Sequence, residues 1–351
     1  MAETVIRLFN GGLTTQPPLS LYIHLPWCVK KCPYCDFNSH AAQTLPEAAY
    51  IDALLLDLER ALPDIWGRKI HTVFFGGGTP SLFSAEGIDR ILTGVRTLTQ
   101  LMPGAEITLE ANPGTVEAAK FAGFREAGVT RVSLGIQSFN PRHLRALGRI
   151  HDDSEARRAA ELAATHFDTF NLDLMFALPG QTLAEAVADI ETALSFQPPH
   201  LSAYHLTLEP NTPFGHAAPP NLPDDDLAAD MQLAIEARLA EAGMQHYETS
   251  AYARAHHASR HNLNYWQFGD YLGIGAGAHS KLSFHDRIVR QMRTKHPQQY
   301  MDAVKAGTQI ADARTLTRDD LPFEFMMNAL RLTEGVPAAL FEARTGLPLI
   351  V

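Results

Sequence analysis

The chain is 351 residues long, 46% hydrophobic and 19% charged, the composition of a globular protein with room for one barrel-sized core and a smaller appendage. Acidic residues outnumber basic ones, 39 to 29, for a net charge of −10, which excludes the basic footprint of a nucleic-acid binder. No apolar run approaches the ~20 residues of a transmembrane helix, and residues 1–20 lack the apolar region and cleavage pattern of a signal peptide.

From residue 19 onward, short β-branched or apolar runs alternate with longer segments of helical spacing. A first strand is predicted over 19–25 with a helix over 46–62, and a second over 70–75 with a helix over 84–100. Strands over 106–111, 131–136 and 169–175 precede helices over 115–127, 152–166 and 182–196, and a sixth strand follows over 201–208. A helix after each strand implies parallel strands joined by right-handed crossovers. Six such units rather than eight predict an α/β fold, an open three-quarter (β/α)6 relative of the TIM-type barrel. The periodicity by itself leaves a doubly wound sheet open.

Beyond 209 the alternation fades. Pro-rich 210–223 reads as a linker, Asp224-Asp225-Asp226 opens a helix over 225–242, and 261–280 is aromatic and glycine-rich. Helices over 298–306 and 319–333 form a small C-terminal helical subdomain, and Leu349-Ile350-Val351 ends it as a truncation would. The expected divisions are an N-terminal extension over 1–18, the barrel over 19–209, an extension covering the barrel over 210–290, and the C-terminal subdomain over 291–351.

All three cysteines lie in one loop after the first strand, Cys28-Val-Lys-Lys-Cys32-Pro-Tyr34-Cys35. The odd count speaks against a structural disulfide, and free thiols without an export signal predict a reducing cytoplasm. A [4Fe–4S] cluster normally takes four thiolates. Three would hold three irons and leave the fourth iron for an exogenous ligand. The spacing also leaves zinc open, as a Cys3His site completed by His40.

Other polar groups fall at the carboxyl ends of the following strands, the rim on which barrels assemble chemistry. At Gly76-Gly77-Gly78-Thr79 the missing side chains let a ligand approach the backbone, or simply make a tight turn. Glu110 and Asp173 can accept from ribose hydroxyls or an ammonium, Arg149 can pair a carboxylate, and Gln137 and Tyr204/His205 stand on the same rim. Each would otherwise serve as a helix cap or a rim ion pair. Further along, His261-Asn-Leu-Asn-Tyr265-Trp266 offers an imidazole and a phenol able to ligate iron, and flat rings for a porphyrin face. The alternative is a histidine hydrogen-bonded inside a packed aromatic loop.

The cysteine spacing, with an aromatic residue before the last thiol, resembles the signature of the radical S-adenosylmethionine (SAM) superfamily. In that superfamily the open iron is chelated by SAM's amino and carboxylate groups, and the reduced cluster cleaves SAM to a 5′-deoxyadenosyl radical. Leu21-Tyr-Ile-His-Leu-Pro-Trp-Cys28, Gly76-Gly-Gly-Thr-Pro80, Glu110-Ala-Asn-Pro-Gly114, Gly135-Ile-Gln-Ser-Phe139, Asn171-Leu-Asp-Leu-Met175 and Leu178-Pro-Gly180 are similar to the branch that contains oxygen-independent coproporphyrinogen III dehydrogenase. The resemblance implies that Tyr22, Gly77 and Glu110 contact the cluster-bound SAM. It implies that Tyr34, Gly78, Thr79, Gln137, Arg149 and Asp173 line a second SAM position.

Two departures separate the chain from the dehydrogenase. Phe37 stands where that enzyme has a fourth cysteine, and only 27 residues precede Cys28 where it has a long N-terminal arm. Cys32-Pro-Tyr-Cys-Asp-Phe-Asn-Ser-His40 and His261-Asn-Leu-Asn-Tyr-Trp266 resemble instead the haem chaperones of this branch. That resemblance implies a protein that binds haem and delivers it to acceptor haemoproteins, with His261, Tyr265 and Trp266 as haem-contacting candidates and an electron donor for the cluster. The alternative expectation is the dehydrogenase activity itself, oxidative decarboxylation of propionate side chains. A cluster loop on the surface could pair two copies into a homodimer, and peripheral membrane contact stays open.

Overall fold

A computed structural model of the chain describes Leu13 and residues 15–349. Most of the predicted N-terminal extension and the last two residues lie outside the described residues. Six β/α units come first: β1 (Leu19–Leu25), α1 (Glu47–Ala61), β2 (Lys69–Gly77), α2 (Ala85–Leu98), β3 (Gln100–Ala111), α3 (Ala118–Ala127), β4 (Arg131–Gln137), α4 (Asp153–His166), β5 (Thr169–Phe176), α5 (Leu183–Ser195) and β6 (His200–His205). These six strands are parallel neighbours in chain order. Each crossover runs through a helix, as parallel pairing requires.

The helices start where the sequence supplies a partner for their unpaired amides. Ser84 caps α2 by accepting from the Gly87 amide, and Asp152 with Glu155 and Thr182 with Glu185 form capping boxes on α4 and α5. The strands are apolar toward the helices, where Leu19, Leu21, Ile23, Val73, Phe75, Leu109 and Val132 are buried. Their other face carries a buried polar layer. Thr72 donates to Ser20 at 2.8 Å, and Asn171 joins Ser133, Asp173, Ser202 and His200.

The sheet does not stop at six strands. Beyond β6 it adds the antiparallel strands β7 (Gln245–Glu248) and β8 (Ala251–Ala253). Beyond β1 it adds β9 (Asp270–Ile274), parallel to β1, and then antiparallel β10 (His279–Ser283), β11 (Ile288–Arg293) and β12 (Ile310–Thr315). The order over twelve strands is β12-β11-β10-β9-β1-β2-β3-β4-β5-β6-β8-β7, with no pairing between its ends among the described residues, so the barrel is open.

Helices α6 (Asp225–Glu241), α7 (Arg260–Trp266), α8 (Pro297–Ala306), α9 (Asp320–Ala329) and α10 (Ala338–Thr345) complete the chain. Three sequence expectations are corrected here. The sixth strand ends at His205 rather than 208, the 210–223 stretch contains a short helix at Pro213–His216, and the C-terminal region contributes β11 and β12 as well as helices.

Two buried ion clusters lock these additions onto the barrel. Asp270 accepts from Arg68 Nη1 at 2.8 Å, Lys281 Nζ at 2.9 Å and the Ser283 amide at 2.8 Å. Asp57 of α1 accepts from Arg293 Nε at 3.1 Å and from the Tyr300 hydroxyl at 2.9 Å.

Candidate cluster and cofactor site

The cysteine loop leaves β1 at the carboxyl end of the sheet and is held from several sides. Trp27–Cys28 pairs with His40–Ala41 in a two-stranded ladder. The Cys35 amide donates to the Cys32 carbonyl at 3.1 Å, turning the thiols back on one another. All three cysteines are half-buried and free. The Thr79 and Ser39 hydroxyls flank the Cys28 thiol, but burial outweighs them and pushes both the Cys28 and Cys35 thiols up.

Among the described residues, no three His, Cys, Asp or Glu side chains stand close enough to share one metal ion. A single zinc would gather its sulfurs on bonds of about 2.3 Å, and His40, the candidate fourth ligand, is turned against His296 with ring centroids 5.6 Å apart. Phe37, at the position of the missing cysteine, is 63% exposed. Three half-buried free thiols on one loop suit a four-iron cluster, which carries its own sulfides between the irons.

The glycine run acts as the seat of that loop. A Cβ on Gly78 would lie 2.5 Å from the Trp27 carbonyl oxygen, and one on Gly77, whose φ is +113°, 2.4 Å from the His24 ring. The Gly78 amide donates to Leu25 at 2.8 Å, that of Thr79 to Trp27 at 2.7 Å, and that of Gly77 to Glu110 at 3.3 Å. The space vacated by these side chains is therefore filled by β1 and the cysteine loop. The amides are spent inside the protein rather than offered to an anionic head group.

Two groups of rim residues face this seat. In the first, a Cβ on Gly76 would lie 3.0 Å from Tyr22 Cε2 and 3.2 Å from Glu110 Oε2, so these side chains flank one point. Asp173 is close enough to Glu110 to raise its pKa by repulsion. Neither carboxylate has an ion-pair partner among the described residues. Burial, helped by the Asp173 charge, pushes Glu110 up to about 8, and burial raises Asp173 as well. Asp173 accepts from Ser133 and Asn171 at 2.9 and 2.8 Å, which fixes its carboxylate plane. Two half-buried carboxyl groups without a direct ion pair, with Arg131 acting on Asp173 from a distance, form a place for a hydrogen-donating ligand.

The second group is Gln137, Arg149 and Tyr34. The Arg149 guanidinium donates to the Gly135 carbonyl at 2.6 Å, to Tyr34 Oη at 3.4 Å and to Cys32 Sγ at 3.5 Å, and so ties the cysteine loop to the end of β4. Gln137 holds a left-handed backbone, φ +68°, without being glycine. Such strain persists only where the surroundings impose it, and here it folds the strand end back so that Gln137 Nε2 approaches Gly135.

The aromatic motif does not join this rim. His261 is 1% exposed; Nδ1 is 2.7 Å from Thr72 Oγ1 and Nε2 is 2.9 Å from Tyr265 Oη. Its amide donates to Glu106, and Asn264 donates to Ser20. Ser20 and Thr72 lie toward the amino ends of β1 and β2, and Glu106 pairs beside Thr72 on β3. Helix α7 thus plugs the end of the barrel opposite the cysteines. Burial drops the His261 pKa to about 3, and the neutral ring has no nitrogen free for iron. The Tyr265 ring packs edge-on against His261 and Tyr271, and the Arg331 guanidinium covers the Trp266 ring at 4.3 Å. These contacts commit the His261 ring to packing, while Tyr265 and Trp266 stay half-buried beside it.

Sequence reasoning passed over His24 and Asn38. Period-two alternation in β1 puts His24 on the same face as Tyr22, which was the available signal. Nothing local marks Asn38, whose partners lie more than two hundred residues away at Ala276 and Lys295.

Comparison with known proteins adds the following. Residues 22–193 match the radical SAM superfamily and residues 316–349 the HemN C-terminal domain. The chain is 52% identical to the heme chaperone HemW of Escherichia coli over 334 residues, 94% of this chain and 87% of that protein. It is also 52% identical to the heme chaperone HemW of Haemophilus influenzae over 338 residues, with the same shares covered. Coproporphyrinogen III oxidase (HemN) from Escherichia coli superposes with a TM-score of 0.82 at 24% identity, over 96% of this chain and 81% of that one. At that identity the likeness is one of fold.

Proposed function

The chain belongs to the radical SAM superfamily and, within it, to the family of the heme chaperone HemW, and from this premise we propose that it binds haem and delivers it to acceptor haemoproteins. The observation that carries the reading is the 52% identity with two haem chaperones across 94% of the chain. The exposed Phe37 in place of a fourth cysteine supports it against the dehydrogenase reading. We place the protein in the cytoplasm, in keeping with its free thiols; no helix among the described residues is long and apolar enough to cross a membrane.

Cys28, Cys32 and Cys35 would hold a [4Fe–4S] cluster. Tyr22, Gly77 and Glu110 would contact SAM on its open iron, and Tyr34, Gly78, Thr79, Gln137, Arg149 and Asp173 would border the same mouth. When bound, the cluster supplies an open coordination position and an electron for SAM. The protein's own part is to bind and orient. Glu110 accepts from an amino group, Asp173 stands fixed by Ser133 and Asn171 to accept from hydroxyls, and Arg149 keeps a positive charge beside Cys32, where thiolate charge develops.

The test is a haem titration of anaerobically reconstituted protein, followed at the Soret band, with iron and acid-labile sulfide measured on the same sample. Roughly four irons per chain and saturable haem uptake near one equivalent are expected, and Cys28→Ala should abolish the iron–sulfur absorption. Protein that carries its cluster but takes up no haem specifically would sink the chaperone reading and leave the porphyrinogen decarboxylation assay as the next measurement.

A further inference from the structure

The ring of His24 is buried beside the glycine run, and its two nitrogens have unequal partners. Nε2 lies 2.8 Å from the Asn38 carbonyl oxygen and Nδ1 lies 3.0 Å from Tyr22 Oη. A carbonyl oxygen only accepts, so Nε2 carries the hydrogen. Burial drops the His24 pKa to about 4, so the ring is neutral near pH 7 and Nδ1 is a bare lone pair. The Tyr22 hydroxyl therefore donates to Nδ1. With its one proton spent, Tyr22 Oη has only acceptor capacity left for a ligand.

The arrangement is fixed from three sides. The ring occupies the space that a Cβ on Gly77 would need, at 2.4 Å. Asn38 is pinned by its side-chain amide, which donates to the Ala276 and Lys295 carbonyls at 2.9 Å each. The Tyr50 hydroxyl donates to the His24 carbonyl at 2.9 Å and accepts from the Ala276 amide at 2.8 Å. The far end of the relay thus rests on the turn after β9, well outside the segment that matches the radical SAM superfamily. At its near end, Tyr22 and Glu110 flank the point above Gly76.

We propose that His24 is a positioning residue that takes the Tyr22 proton, so that Tyr22 offers only an acceptor beside the Glu110 carboxyl and the pair selects a cofactor carrying an amino group there. The inference rests on the SAM reading of this site and names the group that the site discriminates.

The experiment measures binding of SAM, and of its analogue lacking the amino group, to the anaerobically reconstituted full chain. The variants are His24→Phe, Tyr22→Phe, the double variant and His24→Gln. His24→Phe is expected to weaken SAM roughly tenfold and leave the desamino analogue unchanged, and the double variant should bind no worse than Tyr22→Phe alone. Losses that add in the double variant, or an equal loss for the analogue, would overturn the proposal in favour of a purely structural His24. If His24→Phe loses its iron, His24→Gln decides. Glutamine can still donate to the Asn38 carbonyl and accept from Tyr22, so affinity within about twofold supports the relay and a tenfold loss refutes it. Wild-type protein that carries a cluster and binds no SAM would instead remove the cofactor reading on which this rests.

Discussion

Glu110 stands at the end of β3 with one hydrogen bond, from the Gly77 amide, and a second carboxylate nearby. Its folded pKa of about 8 lies above the ordinary 4.5, so between those values the folded chain keeps a proton that the unfolded chain has released. Stability from this group is full below pH ~4.5 and is lost as pH rises through ~8. Melting temperatures of the cluster-free protein should therefore fall from pH 5 to 9 more steeply for wild type than for Glu110→Gln, with the curves converging at the acidic end. Parallel curves would show that the carboxyl is not held neutral. The same residue shows what was legible at this scale. Glu110, Asp173, Gln137 and Arg149 could be picked out because each is a polar residue near or beyond a predicted strand end. The glycines were picked out for their freedom, but their reason was hidden. Gly77 is required by the ring of His24 and Gly78 by the backbone of Trp27, and both are contacts between elements. His261 shows the opposite case. Its residue type suits iron, but burial and two hydrogen bonds, set by the docking of α7, decide its role.

At the scale of elements, α1 is fastened to β11 and α8 by one carboxylate. Asp57 is fully buried and meets Arg293 and Tyr300, which are buried as well. Asp57→Ala leaves the Arg293 cation without its counter-charge, at a cost of about 3–5 kcal/mol. Urea unfolding should show a lower midpoint at unchanged slope, and adding Arg293→Met should restore much of the loss, because an apolar pair of similar volume is close to neutral. A double variant as weak as the single one would mean that Arg293 has other work in the fold. The six β/α units were legible because their signals are local. The helix predicted over 46–62 forms over Glu47–Ala61, and α4 and α5 begin at capping boxes written into the sequence. Strands β7 to β12 were not. β12, Ile-Ala-Asp-Ala-Arg-Thr, is exposed at every position and shows no period of two. β9 contains a glycine and follows directly on an aromatic helix. It is a strand because β1 offers it an edge, a pairing that propensity does not encode.

For the molecule as a whole, the barrel does not end where the β/α alternation ends. β1 is Leu-Ser-Leu-Tyr-Ile-His-Leu, buried at six of seven positions, and it is paired on both sides, by β2 and by β9. Cut at residue 209, the chain would leave this strand as a bare apolar edge, the template on which sheets aggregate. It would also strip Asp57 of Arg293 and Tyr300, Asn38 of both carbonyls that hold it, and the floor of the barrel of α7. These losses fall on β1, α1 and the cysteine loop, the elements that build the cluster site. A fragment of residues 19–209 should therefore be aggregation-prone, melt without a cooperative transition and fail to retain iron on reconstitution, while the full chain unfolds in one transition by near- and far-ultraviolet circular dichroism. A fragment that melts cooperatively within a few degrees of the full chain and binds its iron would show instead that the later strands decorate a barrel able to stand alone. The physical expectation runs against that outcome, because the proton relay beneath Tyr22 and the clamp on the cysteine loop both end on atoms between Ala276 and Lys295.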